Sequence, residues 1–201
     1  SKACDDVKRG DDTMRKKLLV VAIAVICLSM AAYGTVAYFT ADDIATNVVT
    51  AGNVDVTLKE TAIPAEGGEP VPFEDVIGVM PGTEVSKIVE VENTGDNEAY
   101  IRVRVEKEIA LAEGVTGEAD TSLIGLNVDT ENWVEKDGYY YYTKPLSAGE
   151  TTAPLFTTVT FETSMENLYQ NSKATIRVYA QAVQSANNGA DVMAATGWPA
   201  E

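Results

Sequence analysis

Val85–Lys107 reads VSKIVEVENTGDNEAYIRVRVEK, and its pattern decides the fold. From Ala99 to Lys107, Ile101, Val103 and Val105 occupy one parity, while Arg102, Arg104 and Glu106 occupy the other. A period of two turns one parity toward a core and the other toward water, the pattern of a strand covered on one side. Val85–Glu92 is a second β-rich run. Asn93-Thr94-Gly95-Asp96-Asn97 joins them as a turn, made of residues that accept tight backbone geometry.

The same reading extends outward. Asn53–Glu60 places Val54, Val56 and Leu58 on one face; Leu155, Thr157, Val159 and Phe161 alternate, as do Ala174, Ile176, Val178, Ala180 and Ala182. Trp133–Lys136 and Tyr139–Thr143 flank Asp137-Gly138, a strong hairpin signal. Glu108–Glu113 has the composition of a short helix, and Gly114–Thr121 reads as a loop. Seven or more short strands predict an all-β chain, a jelly-roll-like or Greek-key β-sandwich, preceded by an N-terminal signal helix. The sandwich is expected over residues 53–184. Residues 185–201 form an Ala-, Asn- and Gly-rich tail, loosely held, with Trp198 able to dock on the sandwich.

The signal expectation rests on residues 14–37. Arg15, Lys16 and Lys17 form a basic n-region, Leu18–Ala32 an apolar run, and Thr35-Val36-Ala37 a small-residue cleavage site. Cleavage is expected between Ala37 and Tyr38; the competing reading is an uncleaved anchor, the chain's one link to a membrane. Cys27 does not make a lipoprotein signal, because Ile26 before it is too bulky. Residues 1–13 read as an upstream extension or cloning remnant. With no sorting motif and no second apolar span, the mature chain is expected to be secreted, into an extracellular matrix or onto the cell surface.

Charge and residue usage restrict the chemistry. The whole chain carries −16, and residues 1–37 hold six basic and four acidic side chains, so the remainder is two charges more negative. Such a surface repels phosphate, which argues against nucleic acid as a partner. The absence of histidine excludes His-based zinc sites and triads, and both cysteines precede Tyr38. Neither a disulfide nor thiol catalysis is then available to the exported part, and packing must hold it together. Asn93-Thr94-Gly95 resembles an aspartic-protease loop, but an Asn supplies no paired carboxylate. No catalytic, cofactor or metal residues are therefore expected. Calcium is the one ion considered: Asn127-x-Asp129-x-Glu131 opens like an EF-hand loop, yet Asn132 and Gly138 replace its required Gly and bidentate Glu. The run Tyr139-Tyr140-Tyr141-Tyr142 is either a ligand platform or, by alternation, core packing beside Trp133.

Several segments together carry a family resemblance. They are Gly34–Glu60 (GTVAYFTADDIATNVVTAGNVDVTLKE), Met80-Pro81-Gly82-Thr83, Val91-Glu92-Asn93-Thr94-Gly95 and Ala99-Tyr100-Ile101-Arg102-Val103, then Tyr141-Tyr142-Thr143-Lys144-Pro145-Leu146 with Gly149-Glu150-Thr151-Thr152. They resemble the TasA/camelysin family of exported Gram-positive proteins, whose signals are processed by a dedicated SipW-type signal peptidase. The resemblance implies a jelly-roll subunit that self-associates into extracellular fibres of the biofilm matrix. In that picture the freed N-terminal strand of one subunit completes the sheet of the next. Residues 38–52 would be the donor segment, with Phe39, Ile44, Val48 and Val49 as apolar anchors. Burying four such anchors contributes roughly 6–12 kcal/mol before ordering costs. The competing expectation is that the segment pairs within its own domain. Other matrix or surface proteins are partners the resemblance admits. Camelysin relatives are also classed as metalloproteases, from which a histidine-free chain departs. A cell-surface binding or adhesion module is the remaining alternative.

Overall fold

The central strand of the larger sheet shows why these residues form strands at all. Ser172–Gln184, thirteen residues rich in β-branched and small apolar side chains, pairs antiparallel with Ala99–Ala110 in an unbroken twelve-residue register, from Lys173 opposite Ala110 to Gln184 opposite Ala99. Ile101, Val103, Ala174, Ile176, Val178, Ala180 and Ala182 face the core from this pair. A computed structural model describes residues 39–43, 47–74 and 76–199. The expected signal segment, its cleavage residues Ala37 and Tyr38, and the anchor Ile44 lie outside them. Among the described residues no helix is long and apolar enough to cross a membrane.

The described residues form twelve strands: β1 Phe39–Asp43, β2 Asn47–Ala51, β3 Val56–Ala62, β4 Val71–Pro72, β5 Val76–Val79, β6 Glu84–Asn93, β7 Ala99–Ala110, β8 Ile124–Leu126, β9 Trp133–Lys136, β10 Tyr139–Tyr142, β11 Phe156–Phe161 and β12 Ser172–Gln184. They build two sheets. One runs β5-β1-β12-β7-β10-β9 with β2 also on β12; the other runs β4-β3-β6-β11-β8. From β6 onward the chain passes back and forth between the sheets. One hydrophobic core lies between them, with Leu58, Val89, Val91, Phe156, Val159 and Phe161 from the second sheet meeting the β7 and β12 residues of the first. The all-β sandwich is as the sequence predicts.

Two expectations need correction. Glu108–Ala110 is not helical but completes β7, because β12 offers three more pairing partners and Arg177 binds Glu108 at 2.7 Å. The tail is not loose: Asp191 caps a 3-10 turn at Val192–Ala194, and Val192 is buried. The Asp137-Gly138 turn is as expected, with both residues at positive φ (53° and 79°), the condition of a type I′ hairpin.

Polar groups set the corner where the chain leaves the second sheet for the first. Asn93, wholly buried at the end of β6, donates from Nδ2 to the carbonyls of Asn97 and Leu146 (2.8 Å each). Its Oδ1 accepts from the Gly95 N–H at 3.1 Å. Thr94 and Gly95 donate to the Asp55 carbonyl, and a Cβ on Gly95 would sit 2.7 Å from the Asp55 nitrogen, so only glycine fits. Asn93→Ala would remove these side-chain bonds from a wholly buried position, taking from the half-buried Asn97 carbonyl its Nδ2 donor while the Leu146 carbonyl keeps the Ala99 N–H. It should cost about 1–3 kcal/mol, read as a lower denaturant midpoint at unchanged m-value.

A second polar element lies at the core-facing register. Glu60 continues the Val56, Leu58 parity of β3, and Lys87 the Val89, Val91 parity of β6. Lys87 Nζ sits 2.9 Å from Glu60 Oε1 and 3.9 Å from the Phe73 ring centre, with Lys87 1% exposed. A buried charge that loses its partner destabilises by about 3–5 kcal/mol, whereas replacing both with apolar groups is often neutral. Lys87→Met should therefore lower the thermal midpoint sharply, and the Lys87→Met, Glu60→Leu double variant should recover most of that loss.

Candidate functional site: the edge of strand β12

β12 has two edges, and β7 occupies one. Along the other, β1 and β2 both run parallel to it: Phe39–Asp43 opposite Ser172–Ile176, and Asn47–Ala51 opposite Tyr179–Val183. A strand so largely buried needs partners for the backbone groups on this edge, since unpaired buried N–H and C=O groups are costly. The chain's own N-terminal segment supplies them. β5 then pairs antiparallel with the far side of β1.

The proposed anchors fall in this seam. Phe39 stands opposite Ser172, Val48 opposite Ala180 and Val49 opposite Gln181. Val48 is half-buried against the main core, while Val49 points the other way and is 45% exposed. Gly52 follows β2 at φ 89°, and Val54, 3% exposed, fixes the chain again before β3. The segment is thus held at β12 and tied to the sandwich by a short glycine-containing connection.

The outer face of the same sheet carries a cluster that sequence reasoning underestimates. Tyr140 and Tyr142 join the core, where Tyr142 packs on Trp133 at 5.1 Å; burial, with Glu135 adding to it, pushes the Tyr140 phenol above its ordinary pKa. Tyr139 and Tyr141 face outward with Tyr100 and Val183, under Val192, Ala195 and Trp198 of the tail. Arg102 is not a solvated charge. It lies 3.9 Å from the Tyr139 ring centre and 4.6 Å from that of Trp198, and its Nε donates to Gln181 Oε1 at 2.8 Å. The available signal was parity: Tyr100, Arg102, Tyr139 and Tyr141 share one face.

At the calcium-like loop, Asn127 Oδ1 accepts from the Thr157 and Thr158 N–H groups (2.9 and 2.7 Å). Asp129 accepts from the Asn132 side chain at 2.8 Å and from the Glu131 and Asn132 N–H groups. These bonds, the Asn132 side chain's foremost, hold the Asp129 carboxyl below its ordinary pKa. Among the described residues no three His, Cys, Asp or Glu side chains are grouped so that they could hold a metal ion.

A two-sheet β-sandwich whose N-terminal strands seal the edge of its longest strand is the class this geometry defines. The profile of the family described as camelysin metallo-endopeptidase matches residues 13–194, and the chain belongs to that family. No curated protein and no solved structure matches the chain. The family description implies a metal. The described residues, in a chain without histidine, do not fit a peptidase metal centre, and no catalytic step follows from them.

The two faces of β2 give a direct check on the seam. Val48→Asp should weaken docking on β12 by about 2 kcal/mol, whereas Val49→Asp should stay within about 0.5 kcal/mol. Limited proteolysis after Gly52 and urea unfolding would separate the two.

Proposed function

We propose that this chain is an exported structural subunit that polymerises into extracellular fibres of a biofilm matrix. After SipW-type processing at Ala37, the segment 38–52 leaves its own β12 and occupies the same edge of the next copy. The observation that supports this reading is the parallel seating of both β1 and β2 on β12. The donor strands lie immediately beyond the cleavage site and join the sandwich through a short linker at Gly52. A second copy can repeat the same register, since domain exchange re-forms identical contacts between chains. Exchange then costs little beyond association entropy. The protein acts without catalysis on this reading, and secretion places it where fibres form.

A mature chain starting at Tyr38 should form large species that grow with concentration on a sizing column and appear as fibres by negative-stain microscopy. A variant lacking 38–51 should remain a folded monomer, less stable because β12 has lost one edge. A synthetic peptide of residues 38–51 should restore its thermal midpoint. Undiminished fibres from the deletion variant would overturn strand donation. Casein cleavage by the purified chain, abolished by a chelator, would instead revive the peptidase reading.

A further inference from the structure

The tail and the N-terminal segment meet on one face. Ser185 follows β12 and is pinned by its N–H to the Glu98 carbonyl (3.0 Å) and by its hydroxyl to Glu98 Oε1 (2.7 Å). Asn188 then clasps the loop: its Nδ2 donates to the Gln184 and Thr196 carbonyls, and its Oδ1 accepts from the Thr196 N–H and hydroxyl. The turn between them is tight, since a Cβ on Gly189 would lie 2.8 Å from Ala194 backbone atoms. This fold-back lays Val192 and Trp198 over the outer face of the seven-stranded sheet, Trp198 edge-on to Tyr141 at 5.8 Å. Ala51, the last residue of β2, packs into the same cluster. Its neighbour Gly52 lies against β12, with its Cβ position 3.7 Å from Gln184 Cβ.

We propose that residues 185–198 are a latch that roofs the end of β2 beside its Gly52 connection and so holds the N-terminal segment on β12. Closed, the latch covers the place where β2 begins to peel away. Open, it leaves Ala51 bare and lowers the barrier to peeling. Its consequence for assembly rests on the strand-exchange reading; its effect on β2 does not. Asn188 is the clasp and Trp198 the contact that the Arg102 guanidinium, held between Tyr139 and Trp198, secures.

Amide hydrogen exchange on the mature chain tests this, comparing the native sequence with Asn188→Asp and with a chain ending at Ser185. Asn188→Asp keeps an oxygen to accept the two Thr196 bonds but loses both donations, and the shortened chain has no latch at all. In each, exchange at Val48–Ala51 should quicken roughly tenfold or more, the scale of one to two net hydrogen bonds. The β7–β12 amides should keep their native protection, and large species should appear sooner. Unchanged exchange at Val48–Ala51 in the chain ending at Ser185 would overturn the latch. Faster exchange there, with no large species from any of the three chains, would uphold the latch and overturn strand exchange.

Discussion

β12 runs through the larger sheet with partners required on both edges, and much of the molecule follows from satisfying that requirement. Its thirteen residues are mostly buried, so its backbone groups have little access to water. β7 meets the demand on one side with a continuous antiparallel ladder. On the other side the chain returns its most N-terminal described residues, from more than a hundred positions upstream, in two parallel pieces. Long-range parallel pairing closes a large loop and forms late and slowly compared with hairpins. On the strand-exchange reading proposed above, the part of the sheet that completes the fold is also the part that leaves it.

Around this seam the structure divides its polar groups by how they are satisfied. Asn93 is buried with its whole carboxamide bonded to backbone, and it turns a crossing between sheets into a rigid corner. Lys87 and Glu60 are buried as an ion pair beside Phe73, an arrangement whose attraction is largely offset by the cost of taking both charges out of water. On the outer face, Arg102 is held by two aromatic rings and a glutamine rather than by an acid. A strongly negative chain thus places two of its few cations, Lys87 and Arg102, inside packed clusters, while Lys136, Lys144 and Lys173 stay exposed among the acidic side chains.

The family description names a metallo-endopeptidase, while among the described residues no three His, Cys, Asp or Glu side chains are grouped to hold a metal ion. Of the four neighbouring rings of the tyrosine run, two enter the core and two lie beneath the tail. A side chain already surrounded by protein is poorly placed to receive a ligand.

Local pattern determined a good deal of this protein. Alternation in Ala99–Lys107, the Asp137-Gly138 turn and the shared parity of Val54, Val56 and Leu58 follow from a period of two and from φ preferences, properties that travel with a few adjacent residues. The pairing of Glu60 with Lys87 was not legible, because their contact joins two strands. Glu108–Ala110 misread as helix because local composition there is ambiguous, and β12 settled it as strand. Tertiary structure alone decided that Phe39–Asp43 and Asn47–Ala51 lie on β12, that the tail folds over Tyr141, and that Arg102 is enclosed by Tyr139 and Trp198. Each of these joins segments far apart in the chain, and no local periodicity records which distant edge or face will be left open to receive them.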